Sequence, residues 1–410
     1  MRMLRPVGEP APLPSIVRMR GDTHRRWRAG LEMRLSSSLR AHWYGSGTAA
    51  LAAAVRVAVQ HGAARQPAEV IIPAYACPDV VSAVRFAGAT PVVADVLPGL
   101  PWLDPRSVAN VMSRHTVAVL YVRFLGLPAN DLALRAVCRE AGALLVEDAA
   151  HAFPAGSPVQ SSADLVVLSF GRGKPVSLRH GGLLLQSRDQ SLPQPPAPVP
   201  QVNHVRSRVR HWLECASHNA GIHPIAYSLL SRIMRTDAIQ YRELDALTPF
   251  RGELTPHLDR AIRSHNNLGT WRQRRVATIV NDVGGSLFDV ASHAAACGTA
   301  ECSSMHGHTE GLWRYPLLLP SEVERDRLFA DLWKHGLGPS RMYRMLLPEM
   351  ASLAPFVRAT STPNARAFAE RLLTLPLHSH VTADDYGRIR ARLQAFAEQP
   401  CLAQPNLWSH

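Results

Sequence analysis

Lysine is almost missing from this 410-residue chain: Lys174 and Lys334 are the only two among 45 basic residues, and the rest are arginines. Arginine stays protonated at any working pH, so only those two side chains offer an amine that can lose its proton and attack a carbonyl. Long apolar runs are missing too. No stretch approaches the roughly 18 consecutive apolar residues of a membrane span, and residues 1–20 lack the continuous apolar core of a secretory leader. The six cysteines (Cys77, Cys138, Cys215, Cys297, Cys302, Cys401) have no CxxC spacing, which fits reduced thiols in a cytoplasm rather than a disulfide framework. Zinc-finger and RNP-type signatures are absent, so no nucleic-acid partner is expected.

What remains is an ordinary globular composition. Hydrophobic residues make 46% and charged residues 19% of the chain, enough for two or three domains with a large core. The net charge of +13 is uneven. Residues 1–43 hold nine Arg against three acids, and residues 201–280 twelve Arg against six, so each segment carries +6. A basic surface favours anionic partners. Neither segment interleaves aromatics as a base-stacking surface would, so both read as solvated arginine-rich faces.

Along the chain, the Ala-rich stretch 47–62 reads as a helix stopped by Gly62. Short apolar runs at 69–75, 90–96, 115–122, 143–150, 164–170 and 181–187 read as buried strands, with helices at 78–86 and 131–142 between them. That alternation predicts an α/β fold, a parallel sheet with helices on both faces. The prolines of 191–201 mark a linker, and 205–245 looks helical and basic. A helix over 256–276 leads to a smaller α+β unit, with strands at 311–320 and 372–378 and helices at 321–336 and 383–398. The expected division is a basic arm over 1–45, a large domain over 46–190, a linker and insertion over 191–255, and a small domain over 256–410.

Ligands of parallel sheets bind at the carboxyl ends of strands and at helix N-termini. Three segments meet that description: Ser46-Gly47-Thr48-Ala49 at the start of the Ala-rich helix, Glu147-Asp148 at a strand end, and Ser169 with Lys174 just past another. Each alone has a structural explanation: an N-cap, a turn, a surface loop. Gly173-Lys174 is not a P-loop, because Leu168 stands where its first Gly belongs and Pro175 replaces the Ser/Thr. Lys334 falls in the last turn of a helix opened by Ser321, where a cation suits the dipole. That leaves Lys174. Cys297, Cys302, His306 and His308 crowd into twelve residues without a standard zinc spacing, so no metal is predicted.

Together the order of segments resembles the DegT/DnrJ/StrS-type sugar aminotransferases, fold-type-I enzymes that use pyridoxal 5′-phosphate (PLP). The segments are 46–51 (SGTAAL), 69–75 (EVIIPAY), 87–96 (AGATPVVADV), 124–132 (FLGLPANDL), 146–152 (VEDAAHA), 169–182 (SFGRGKPVSLRHGG) and 374–389 (TLPLHSHVTADDYGRI). The resemblance implies a PLP-binding large domain with a mostly parallel seven-stranded sheet, a smaller C-terminal α+β domain and a homodimer. It implies that Lys174 forms the Schiff base with PLP, that Asp148 pairs with the ring nitrogen, and that His151 lies by the phenolic oxygen. Gly47, Thr48, Ala49 and Ser169 are implied around the phosphate. The implied function is amino transfer, with glutamate as donor and a nucleotide-linked keto-sugar as acceptor. The alternatives are a non-sugar or carrier-linked carbonyl acceptor, or a regulatory protein without catalysis.

Three departures from the family pattern stand out. Cys77 occupies the position of the aromatic residue that covers the PLP ring, which leaves Tyr75 as the stacking candidate. The Asn-Tyr-Arg motif is absent around 240–255, with Arg172 and Arg251 as possible sources of charge. Met342-Tyr343 stands where the family has His-Tyr.

Overall fold

The computed structural model describes residues 2–6, 10–13, 28–33, 35, 39–128, 131–153, 161–188, 192–199, 205–230, 241–284, 287–301 and 311–399. Seven strands form one sheet in the order β1-β7-β6-β5-β4-β2-β3. They are β1 (Leu39–Tyr44), β2 (Glu69–Pro73), β3 (Thr90–Ala94), β4 (Thr116–Val122), β5 (Leu144–Asp148), β6 (Leu165–Ser169) and β7 (Gly182–Ser187). β2 through β6 pair in parallel, and β7 and β1 close one edge antiparallel. β4, β5 and β6 are buried at every residue, as continuous runs such as Thr-Val-Ala-Val-Leu-Tyr-Val require when both faces are covered.

The helix Gly47–His61 packs across the sheet through Ala49, Ala50, Ala52, Ala53, Ala54 and Ala58, all buried. Those small side chains let its axis lie close, and Ser46 caps it by accepting from the Ala49 N–H at 3.1 Å, worth about 1 kcal/mol. Two glycines make its entry possible. A Cβ on Gly182 would stand 2.2 Å from the Ser46 carbonyl oxygen, and one on Gly47 would stand 2.5 Å from Ser169 Oγ. The helix N-terminus is thus pressed against the ends of β6 and β7.

Beyond the sheet, helices Val205–Ile222 and Pro224–Leu230 replace the single helical stretch expected over 205–245; 231–240 lies outside the described residues, and 241–248 is not helical. The helix Thr255–Val283 runs on to a three-stranded antiparallel sheet, β10-β9-β8, formed by β8 (Phe288–Asp289), β9 (Arg314–Leu318) and β10 (Leu372–Pro376). Edge strands β1 and β8 and the helices Pro105–Val111, Val290–Glu301 and Pro363–Arg371 are additions to the sequence reading. β8 has two residues and β1 mixes polar with apolar, so neither carries a clear periodicity. Cys297 sits within a helix, 3.6 Å from His293 Nε2, not in a loop. Cys302, His306 and His308 lie outside the described residues, and no group of metal-ligating side chains occurs among the described ones. No described helix is long and apolar enough to cross a membrane.

Residues 2–6 lie on this smaller unit. Leu4 is fully buried, its N–H donates to the Gly336 carbonyl at 2.8 Å, and His378 Nε2 lies 2.8 Å from the Arg5 carbonyl oxygen. Burial holds His378 and His180 down at about 3, well below a free imidazole. Because the folded values lie below the unfolded value near 6.5, each histidine contributes stability that is complete above that pH and is lost as pH falls toward 3. The loss is about 1.4 kcal/mol per pH unit per group inside the window. The melting temperature is expected to fall by several degrees between pH 7.5 and 5, with a shallower fall for His378→Gln. A flat profile across that range contradicts this account.

Candidate active site

The site lies where the ends of β5 and β6 meet the N-terminus of Gly47–His61. Successive residues of a strand point to opposite faces, so Glu147 and Asp148 part company. Glu147 turns toward the Leu145 side. There its carboxylate pairs with Arg123 Nε at 2.6 Å and accepts from the Tyr121 hydroxyl at 2.8 Å. Asp148 turns to the other face. One of its oxygens accepts from the Ala150 N–H at 2.9 Å, a local turn that brings His151 back over the strand end. Burial raises the Asp148 carboxyl above its ordinary range, and the Lys174 ammonium is the main influence drawing it back.

Lys174 rides the loop between β6 and β7. The loop is folded by the Gly171 carbonyl, which accepts from the Lys174 N–H at 3.3 Å and the Ser177 hydroxyl at 3.2 Å, with Gly173 at a φ of +73°. The Lys174 ammonium lies 5.5 Å from the centre of the Trp313 ring, which packs 4.5 Å from the His151 ring. His151 is buried, and that burial, reinforced by the Lys174 charge, holds it well below the usual imidazole range. Its Nδ1 accepts from the Leu125 N–H at 3.4 Å, so the neutral ring carries its proton on Nε2.

Lys174, Asp148, His151 and Cys77 therefore come together, as their mutual electrostatic influence requires. Ser169 adjoins Gly47, and its Oγ accepts from the Gly171 N–H at 3.3 Å. The Thr48 hydroxyl donates to Asp79 at 3.2 Å, and the Ala49 N–H is taken by Ser46, whereas helix geometry leaves the first-turn N–H groups of Gly47 and Thr48 without intrahelical partners. Tyr75 does not offer a ring face to the site. Its ring is enclosed by Phe124, Tyr343 and Phe368 at 5.4–5.6 Å, and its hydroxyl accepts from the Tyr343 N–H. Cys77 stands at the N-cap position of the helix Pro78–Phe86 without a side-chain cap hydrogen bond, beside Tyr343. Burial, with Asp79 beside it, pushes Cys77 up to about 11, so it is a thiol and not a nucleophile at neutral pH. Trp313 and Asp79 escaped the sequence reading. Trp313 arrives from the segment before β9, some 140 residues from Lys174, and no local pattern marks it.

Residues 30–194 match the DegT/DnrJ/EryC1/StrS aminotransferase family. The whole chain also shares its fold with solved structures at low identity. The putative sugar aminotransferase Spr1654 from Streptococcus pneumoniae, in its PLP form, superposes with a TM-score of 0.67 at 19% identity, covering 95% of this chain and 99% of that one. The sugar aminotransferase CalS13 from Micromonospora echinospora gives 0.64 at 19%, covering 94% and 99%. The aminotransferase TlmJ from Streptoalloteichus hindustanus gives 0.64 at 19%, covering 92% and 91%.

Aminotransferases of this family are PLP-dependent, and the residues here fit that cofactor. A buried carboxylate bonded through one oxygen to a single N–H is suited to a cationic ring nitrogen. Opposite it stand an amine, a hydroxyl and a helix N-terminus for a phosphate.

Two substitutions test this geometry. Arg123→Ala leaves the Glu147 charge buried without its ion partner and is expected to destabilise the protein by about 3–5 kcal/mol; replacing both residues with leucine costs less, as denaturant titration would show. Gly47→Ala drives a methyl group into Ser169 Cα and Cβ, neither of which can swing away. It is expected to weaken PLP binding by at least about tenfold. PLP titration followed by absorbance decides, and wild-type affinity would remove Gly47 from the phosphate cradle.

Proposed function

We propose that this protein is a PLP-dependent aminotransferase that takes the amino group of glutamate and delivers it to the keto group of a nucleotide-linked sugar. The observation that carries the reading is the meeting of Lys174, Asp148 and His151 at the strand ends beside a helix N-terminus. The sugar aminotransferases with the same fold support the acceptor class. The reading includes a homodimer working in the cytoplasm.

When bound, the cofactor supplies an electron sink for the pair released as a C–H bond next to nitrogen breaks. The chain's own residues do the rest. Asp148 would hold positive charge at the ring nitrogen, and burial would strengthen that attraction by excluding water. Gly47 and Thr48 N–H groups and the Ser169 hydroxyl would hold the phosphate. The His151 Nε2–H would face the phenolic oxygen. The Lys174 amine would take up and return the proton of the substrate carbon. Trp313 stands against both Lys174 and His151, restricting the amine's sweep and keeping water from it.

Absorption spectra of the PLP-loaded protein, before and after glutamate, test this. The wild type is expected to show a visible band that glutamate bleaches, and Lys174→Ala to lack the band. A band unchanged in Lys174→Ala would remove the lysine from its role, and a wild-type band indifferent to every amino donor would remove the transaminase reading.

A further inference from the structure

The helix Val205–Ile222 is amphipathic in the opposite sense to an ordinary surface helix. Its protein-facing side carries His211, Cys215 and His218 beside Ile222, all buried, with His211 Nε2 3.7 Å from the Cys215 sulfur. Its solvent-facing side carries Val209, Leu213 and Ala220, whose spacing places them in one stripe. The next helix, Pro224–Leu230, buries Pro224 and Tyr227 and turns Ile225 and Leu229 outward. Leu213, Ile225 and Leu229 are 56%, 64% and 61% exposed, so none is a half-covered core residue. Four of the twelve large apolar side chains exposed among the described residues thus fall between positions 209 and 229. Such residues scattered singly need no explanation, but a concentration of them marks a contact surface.

The orientation of both helices is set by packing. The Asn219 side chain accepts from the Ala11 N–H and donates to the Ala11 carbonyl, each at 2.8 Å. The Met3 N–H donates to the Pro224 carbonyl at 3.3 Å, and the Arg5 guanidinium lies 5.8 Å from the centre of the Tyr227 ring. Exposed Leu13, two residues beyond Ala11, adds an apolar side chain at the border of the pair. Charge borders the stripe as well. Over 205–230 the charged residues are Arg206, Arg208, Arg210 and one acid, Glu214, a net of +2. The pair between Arg210 and Glu214, at 2.9 Å, is open to solvent and screened, so it holds the arginine only weakly. A symmetric contact with a second copy would set the same arginines against each other. A face that is only solvated would have no use for the leucines. The chemistry that matches this face is apolar in depth and negative at its surface.

We propose that the helices Val205–Ile222 and Pro224–Leu230 form a docking surface for an anionic lipid bilayer. Val209, Leu213, Ile225 and Leu229 enter the boundary between headgroups and acyl chains, while the arginines stay at the level of the lipid phosphates. The protein lies on the membrane and does not span it, in keeping with described helices none of which is long and apolar enough to cross. The assignment stands apart from the transaminase reading, since it uses neither the donor nor the acceptor.

The test floats the full-length, PLP-loaded protein with vesicles of phosphatidylglycerol and phosphatidylcholine in equal parts, and with vesicles of phosphatidylcholine alone. The wild type is expected to partition onto the mixed vesicles about tenfold more strongly than onto the neutral ones, and to be released by salt. Leu213→Ser and Leu229→Ser change exposed side chains and are each expected to weaken partition about fivefold or more, with the PLP absorbance unchanged. Val323→Ser, at an exposed apolar position on the helix Glu322–Lys334, is expected to change it less than about twofold. Absence of the wild type from the mixed vesicles, equal partition onto both kinds, or wild-type partition by both serine variants overturns the proposal. Sedimentation velocity without vesicles supplies a further check. A smaller assembly for the serine variants than for the wild type assigns the face to a second copy of the chain and also overturns it.

Discussion

The buried carboxylate of Asp148 is the constraint around which the site is arranged. A carboxylate withdrawn from water at the centre of a seven-stranded sheet is stable only if a cation meets it. Here the protein's nearest answer is Lys174, yet Lys174 lies against Trp313 and not in an ion pair with Asp148. The fold thus keeps a charge demand open at the strand ends. The adjacent acid shows the contrast. Glu147, one residue away and on the opposite face, has its demand met by Arg123 and Tyr121. Two neighbouring carboxylates, separated by the pleat of one strand, serve structure and site respectively.

Backbone strain collects around the same place. The three non-glycine residues with positive φ among those described are Leu125, Arg179 and Met342. The Leu125 N–H donates to His151, Arg179 lies on the loop that carries Lys174, and Met342 precedes the tyrosine whose N–H donates to Tyr75. Such conformations each cost about 1–3 kcal/mol and persist only where the surroundings over-determine them. Their distribution around one site, rather than across the surface, indicates that the core pays to hold these side chains in place.

Much of this was legible in the sequence. The runs at 115–122, 143–150 and 164–170 are apolar on both faces, and only a covered parallel sheet accommodates that, so β4, β5 and β6 followed directly. Lys174 emerged from a count, because one of two lysines had an ordinary capping role and the other did not. The parts that escaped depend on contacts between distant segments. Trp313 reaches Lys174 from the far side of the linking helix, and Leu4 and Arg5 reach Gly336 and His378 from residues 2–6. The packing of Tyr75 is of the same kind, because position in a motif fixes a backbone and not what surrounds a ring. The cluster of Phe124, Tyr343 and Phe368 that claims it is assembled from three separate regions.

The exchange of an aromatic residue for Cys77 then has a structural logic. With Tyr75 committed to the core, a bulky ring at position 77 would compete with Tyr343, whose hydroxyl occupies the thiol's neighbourhood. A small, protonated thiol leaves that space to a tyrosine from the C-terminal third, while Trp313 supplies aromatic surface from the other side through His151 and Lys174. The aromatic wall around the amine is therefore kept but re-sourced, drawn from the C-terminal half of the chain instead of from the loop after β2. A site built this way depends on the small unit keeping its place against the large sheet. Residues 2–6, tied to Gly336 and His378, brace the small unit. That segment thus helps hold the unit that supplies Trp313 and Tyr343.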